Sequence, residues 1–262
     1  MMLGAVSGED MKFKGDRVLI TGASRGIGRA CALAFAERGA TVAINSLSDT
    51  PAAEETREAL QGDGHAILRA DVSDSVAVDR LIAKTLEALG GLDIVVNNAG
   101  TWIDHVLEDV DYDEWREAWA RTLQTNLVGP ANVSYCAARH MIDHGGGRIV
   151  NVSSRTAFCG QPDGPAYAAS KAGLNALTQS LAVKLAPHGI AVAAVAPGFV
   201  DTDLTTPFLD GPDGDAIRSQ SPFGRVARPE EVAAAVLFLA SKGAEFCSGT
   251  VIDVNGASYL RS

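Results

Sequence analysis

The feature that most constrains this chain is the alternation of short apolar runs, rich in Val and Ile, with longer amphipathic stretches. A strand with one wet face alternates apolar and polar residues, whereas a strand covered on both faces reads as an unbroken apolar run. Seven runs of the second kind occur, over residues 17–20, 41–44, 66–70, 92–96, 148–152, 190–195 and 250–254. Helical patterns separate them. The order predicts an α/β fold: a doubly wound parallel sheet of seven strands with helices on both faces, in one domain. A length of 262 residues suits a single large sheet of this kind.

Local signals agree with that frame. Thr50-Pro51 offers an N-cap with proline at the first helical position, and Asp111 with Glu114 has the spacing of a capping box. Over residues 165–186, Leu174, Leu177, Leu181 and Leu185 recur at helical spacing, and Pro187 with Gly189 marks the end. Residues 201–228 dissolve into Asp, Gly, Pro and Thr, too long for an ordinary connection, and are expected to form a substrate loop or lid. Residues 1–10 read as a flexible extension ahead of a catalytic domain at 11–262.

Composition removes several function classes. Hydrophobic residues make up 47% and charged residues 21%, enough core material to argue against a disordered or fibrous chain. The net charge of −10 is a poor footprint for holding a nucleic-acid backbone. No apolar run reaches the roughly 18 residues of a membrane span, and the first ten residues lack a basic-then-apolar leader. The expectation is a cytoplasmic protein with neither nucleic-acid nor membrane partner. Cys31, Cys136, Cys159 and Cys247 are widely separated and form no C-x-x-C pair, so reduced thiols are expected and no metal site.

Chemistry enters at the first strand's end. Thr21-Gly22-Ala23-Ser24-Arg25-Gly26-Ile27-Gly28 opens a helix running to about Arg38. Glycines there let the backbone approach a pyrophosphate, and the helix start favours its charge. Gly22-Ala23-Ser24-Arg25-Gly26 also fits a hydrolase nucleophile elbow. Chain order opposes that reading, because one strand alone precedes Ser24 and the last histidine, His188, stands in a helix-ending Pro-His-Gly. Further along, Tyr167 and Lys171 lie four apart on one helical face, where an ammonium group can stabilise phenolate. Ser153 and Ser154 end the fifth strand, Asn97-Asn98-Ala99-Gly100 the fourth and Pro197-Gly198 the sixth, so all converge on one crevice.

Together these motifs resemble the short-chain dehydrogenase/reductase family, over residues 14–259 and in family order: the glycine turn, Asp71-Val72, Asn97-Asn98-Ala99-Gly100, Asn126, Ser154, Tyr167-x-x-x-Lys171, and Pro197-Gly198 with Thr202. The resemblance implies a Rossmann-type fold and a nicotinamide-dependent oxidoreductase that interconverts a carbonyl and a secondary alcohol. Tyr167 is then the general acid/base, Ser154 holds the substrate oxygen, Lys171 lowers the tyrosine pKa and bonds the nicotinamide ribose, and Asn126 anchors a relay water. The cofactor contacts carried over are Gly22, Ser24, Arg25, Gly26, Ile27, Gly28, Ser46, Asp71, Val72, Asn98, Ala99, Gly100, Tyr167, Lys171, Pro197, Gly198, Val200 and Thr202. Ser153 is expected to face away from Ser154.

Family members that prefer NAD place a carboxylate after the second strand, where this chain reads Asn45-Ser46-Leu47-Ser48. Arg25 in the glycine turn can meet a phosphate, so NADP(H) is the expected cofactor, with NAD(H) the alternative. Similarity is closest to the subgroup of 3-oxoacyl-(acyl-carrier-protein) reductases, in Phe223-Gly224-Arg225 and Arg228-Pro229-Glu230-Glu231. A basic docking face for an acidic carrier is not evident in Gly145-Gly146-Gly147 or Pro187-His188, and the net charge repels one. The preferred substrate is therefore a small ketone or alcohol, the alternative a 3-oxoacyl carrier-protein or CoA thioester, and the outside alternative an inactive dinucleotide sensor. Trp102, Arg155 and Phe199, with Ser154 and Tyr167, are the expected substrate contacts. A homotetramer is expected by resemblance.

Overall fold

The computed structural model describes residues 12–48 and 51–261. The expected extension over residues 1–10 and the Thr50 cap lie outside these. All seven strands form: β1 (Arg17–Ile20), β2 (Thr41–Ser46), β3 (Ala66–Arg69), β4 (Ile94–Asn97), β5 (Gly147–Val152), β6 (Ile190–Pro197) and β7 (Val251–Val254). They build one sheet in the order β3-β2-β1-β4-β5-β6-β7, every neighbour parallel. The winding reverses between β1 and β4, which opens a crevice over their carboxyl ends.

The helices are α1 (Gly26–Glu37), α2 (Pro51–Ala59), α3 (Ser75–Leu89), α4 (Tyr112–Leu123), α5 (Gly129–Asp143), α6 (Pro165–Leu185), α7 (Thr206–Leu209), α8 (Gly214–Ser219) and α9 (Pro229–Ala240). Side chains alternate across the sheet, and both sides are buried. Val18, Ile20, Val42, Ile44, Val96 and Val150 enter one core with Cys31 and Phe35 of α1 and Val232 and Val236 of α9. Leu19, Ala43, Val95, Ile149 and Val192 enter a second core with Leu81 of α3, Val133 and Met141 of α5 and Leu185 of α6. That double burial is why the strands read as continuous apolar runs.

The helix ends follow their capping chemistry. Asp111 accepts from the Asp113 and Glu114 amides at 2.9 Å each, while the Glu114 carboxylate accepts from Asp111 N–H at 2.9 Å. Between α4 and α5 the chain passes through a π-helical turn, Gln124–Val128, for which the sequence carries no signal. Residues 201–228 hold the two short helices α7 and α8, and the segment's ends are drawn together where Asp201 N–H donates to Ala227 O at 2.8 Å.

At the amino ends of the strands, charges meet in pairs. Arg17 grips both oxygens of Asp93 at 2.7 and 2.8 Å, and Arg148 bonds Glu245 at 2.7 Å. Burial pushes the Asp93 carboxyl up, but the hydrogen bonds from Arg17 more than offset it, and the group sits below its ordinary value of 3.8.

Candidate active site

The crevice at the carboxyl ends is a cleft of about 920 Å³. Its wall carries Gly22, Ser24, Arg25, Gly26, Ile27, Ser46, Asp71, Val72, Asn98, Ala99, Gly100, Ser154, Tyr167, Lys171, Pro197, Gly198, Val200 and Thr202. Of the expected cofactor contacts, Gly28 alone stands behind this wall.

The glycine turn is shaped by close packing as well as by torsion. Gly22 has φ +62°, and a Cβ there would come within 2.9 Å of Ala99 Cα. A Cβ at Gly28 would run into the Gly22 carbonyl oxygen and the Asn98 amide. Two asparagines then fix the turn through its backbone. The Asn98 side chain donates to the carbonyls of Thr21 and Gly22 at 2.9 Å each. Asn45 accepts from Gly22 N–H at 3.4 Å and donates to Leu68 O and Ala70 O at 3.1 Å each. Sequence reasoning assigned Asn45 no role, and its brace depends on a strand pairing that only the folded sheet supplies. Ser46 lines the cleft, with its hydroxyl donating to Ser48 O at 2.7 Å.

Tyr167, Ser154 and Lys171 do converge. Ser154 lies two residues beyond the end of β5 and is buried; its Oγ accepts from Thr156 N–H at 3.2 Å and from the Thr156 hydroxyl at 2.9 Å. Burial pushes the Tyr167 phenol up, and a hydrogen bond with Ser154 pulls it partly back. The buried Lys171 ammonium donates to Val152 O at 2.8 Å and lies 5.7 Å from the Tyr167 ring centre. Burial pushes this amine down to about 8. Burial is the larger influence on the phenol, which in the protein alone stays above its ordinary value of 10. Ser153 also lines the cleft, and its hydroxyl donates to Lys171 O at 3.3 Å.

Asn126 stands behind the wall, fully buried in the π-helical turn. Its Oδ1 accepts from Thr101 N–H at 2.8 Å, and its Nδ2 donates to Thr101 O at 2.9 Å and Ser170 Oγ at 3.2 Å. Both amide protons are committed to protein, so the side chain ties the β4 loop to α6. Of the expected substrate contacts, Ser154 and Tyr167 line the cleft, whereas Trp102, Arg155 and Phe199 do not. Trp102 packs edge-on to Tyr167 with ring centres 5.0 Å apart and to Phe208 of α7 at 6.3 Å, and the Arg155 guanidinium lies 5.4 Å from the Phe199 ring centre.

A further residue, unmarked in the sequence, is His105. Its Nε2 accepts from Ala166 N–H at 3.2 Å while Nδ1 bonds Ile103 O at 2.8 Å, pinning the first turn of α6 one residue before Tyr167. Among the described residues no cluster of three metal-binding side chains occurs. His140 of α5 and His144 at its cap stack their rings with centres 3.9 Å apart.

A glycine cradle that backbone atoms would otherwise fill, at the switch point of a parallel sheet, fits a dinucleotide, and the Ser-Tyr-Lys group beside it fits acid/base chemistry on an oxygen. The site is thus that of a dinucleotide-dependent oxidoreductase. The comparisons agree. A family model described as enoyl-(acyl carrier protein) reductase matches residues 22–257. The chain is 41% identical over 244 residues to cis-4-hydroxycyclohexanecarboxylate dehydrogenase of Sinomonas cyclohexanicum, covering 91% of this chain and 94% of that one. It is 37% identical over 250 residues to a 3-oxoacyl-[acyl-carrier-protein] reductase of Vibrio cholerae, covering 95% and 100%. A solved short-chain type dehydrogenase/reductase from Mycobacterium marinum superposes with a TM-score of 0.87 at 33% identity, over 97% of this chain and 99% of that one. The chain belongs to the short-chain dehydrogenase/reductase family. It is an oxidoreductase that interconverts carbonyl and alcohol groups with a nicotinamide cofactor.

Proposed function

We propose that this enzyme reduces a small ketone, or oxidises the matching secondary alcohol, with Tyr167 as proton donor and NADP(H) as preferred cofactor. The observation that carries the reading is the Ser154–Tyr167–Lys171 group, with Ser154 and Lys171 buried and Tyr167 half-buried, on the wall of the same cleft as the glycine turn. A bound nicotinamide dinucleotide supplies or accepts the hydride. The chain's own residues do the rest. Ser154 and Tyr167 hold the substrate oxygen between two hydroxyls, Tyr167 passes its proton to that oxygen in reduction, and Lys171 lies near enough to stabilise the phenolate left behind. The residues of the cleft wall, with Gly28 behind them, would hold the dinucleotide. Trp102 and Phe208 shield the phenol from water, and the 201–228 segment that carries Phe208 serves as the lid.

The cofactor preference rests on two features. No carboxylate stands at the end of β2, and Arg25, 3.6 Å from Asp203 with both side chains mostly exposed, can turn to a phosphate at little cost. Titration of the protein with NADPH and NADH, followed by fluorescence, is expected to show tighter binding of NADPH; equal or reversed affinities would defeat the preference. The setting proposed is cytoplasmic, with the four cysteines as free thiols, and the assembly a homotetramer, to be checked by light scattering. Among the described residues no helix is long and apolar enough to cross a membrane.

A second reading, reduction of 3-oxoacyl groups on a carrier protein, draws on the Vibrio cholerae relative. The net charge of −10 argues against docking an acidic partner. Turnover of a 3-oxoacyl carrier thioester at a kcat/KM well above that of any small ketone would establish this reading in place of the first.

A further inference from the structure

Four arginines close on an acid at 2.7 or 2.8 Å: Arg17 on Asp93, Arg148 on Glu245, Arg225 on Glu231 and Arg261 on Asp253. Arg155 is different. It follows Ser154 directly, its side chain is half-buried, and among the described residues no Asp or Glu comes within ion-pair distance of it. Instead the guanidinium lies over the face of Phe199 and donates from Nη2 to the side-chain oxygen of Gln220 at 2.5 Å. Both contacts are neutral, in a protein with ten more acids than bases. The planar guanidinium is shaped to take a carboxylate with two parallel hydrogen bonds.

The surroundings define what would bring that anion. Arg155 follows β5 and Phe199 follows β6, at the strand ends that carry the chemistry, and Gln220 comes from the far end of the proposed lid. Beside Tyr167, Trp102 packs on the phenol ring and Phe208 packs on Trp102, so the neighbourhood of the reacting hydroxyl is rich in apolar rings. Ser154 and Tyr167 fix the reacting oxygen; Arg155, the next residue along, fixes a second point.

We propose that Arg155 is the specificity residue of this enzyme and that its substrate is a small oxo or hydroxy acid: an apolar frame, alicyclic or short-chain, whose carboxylate binds the Arg155 guanidinium while its carbonyl meets Ser154 and Tyr167. The proposal rests on the ketone/alcohol reading above and narrows it. Gln220 holds the guanidinium in place for the incoming carboxylate, and the ion pair forms only with a substrate that reaches both points.

The test is steady-state reduction of three probes, 4-oxocyclohexanecarboxylate, its methyl ester and cyclohexanone, by the full-length protein with NADPH and with NADH, for wild type, Arg155→Lys and Arg155→Met. Wild type is expected to favour the acid over the ester by at least about tenfold in kcat/KM, mostly through KM. In Arg155→Met the ratio of acid to ester falls towards one, and Arg155→Lys keeps part of it. Cyclohexanecarboxylate is expected to inhibit wild type competitively against the acid and to lose that hold in Arg155→Met. An acid-to-ester ratio near one in wild type, or a ratio unchanged in Arg155→Met, would overturn this assignment while leaving the ketone reading standing. Failure of wild type to turn over any of the three probes, with dinucleotide binding intact, would overturn that reading and this assignment with it.

Discussion

The two edges of the sheet treat charge in opposite ways. At the amino ends of the strands, Arg17 and Asp93 close on each other at 2.7 Å, and Arg148 and Glu245 do the same. At the carboxyl ends, Lys171 is buried with a carbonyl oxygen as its hydrogen-bond partner, and Arg155 rests on a ring and an amide. A paired charge adds to the stability of the fold and is finished chemically. A cation left without an acid costs stability, because burial penalises its charged form, and keeps its field for whatever enters. The contrast lies at Lys171 and Arg155, since Arg25 at the same carboxyl edge does meet an acid, Asp203, at 3.6 Å.

The comparison is broken most decisively at Tyr167. Replacing it with Phe removes one hydroxyl and leaves the ring that packs against Trp102. Turnover is expected to fall by about 10²–10⁴-fold, the usual worth of a general acid, with dinucleotide affinity kept within a few-fold. Unchanged oxidation of the reduced cofactor in this variant would remove Tyr167 from its role. A smaller effect is expected at Gly22→Ala, where φ is +62° and the added Cβ meets Ala99 Cα at 2.9 Å. Strain of about 1–3 kcal/mol in the turn should weaken dinucleotide binding by roughly tenfold or more. Calorimetric titration would measure it, and wild-type affinity would show that the turn is not the binding element.

At the opposite edge the effect should be on stability alone. Asp93→Asn removes the partner of a guanidinium that is about one-third exposed, so the loss is discounted to roughly 1–2 kcal/mol in urea unfolding, with activity per folded molecule retained. The pH dependence has a definite sign. The Asp93 carboxyl sits below 3.8 in the folded chain, so its contribution is complete above that value and disappears as pH falls through the folded pKa. Wild type and Asp93→Asn should therefore converge in stability at strongly acid pH, and a constant gap between them would assign the loss to packing.

The same contrast explains what could be read in the sequence. The strands were legible because double burial writes an unbroken apolar run, and the cleft because its contacts are backbone-shaped: glycines for close approach, Asn98 for two carbonyls. Asn45 and His105 were illegible because each acts across the fold. Asn45 reaches from β2 to the end of β3, and His105 bonds an amide 61 positions away in sequence. The π-helical turn around Asn126 has ordinary helix-forming neighbours, and only the bonds to Thr101 and Ser170 show why that residue stands there. Arg155 was legible as a residue of the substrate side, but its lack of an acidic partner is a property of side-chain placement, which no one-dimensional pattern contains.

The smallest effect sharpens the comparison furthest, because it asks whether the unpaired Lys171 charge is used. Burial holds this amine at about 8 and the Tyr167 phenol above its ordinary value, so the lysine is the first of the two to lose its proton as the solution turns alkaline. Reduction requires the phenol protonated, which it is on both sides of that pH, and requires a cation beside the phenolate as the proton leaves. The rate of reduction should then be level near neutrality and decline as pH rises through about 8, by about tenfold for each further unit if the neutral amine is inert. In Lys171→Arg, whose charge does not titrate in this range, the decline should vanish even if the plateau is lower. A limb that persists in Lys171→Arg would belong to another group, and a wild-type limb near 10 would mean that the lysine is not desolvated when the enzyme works.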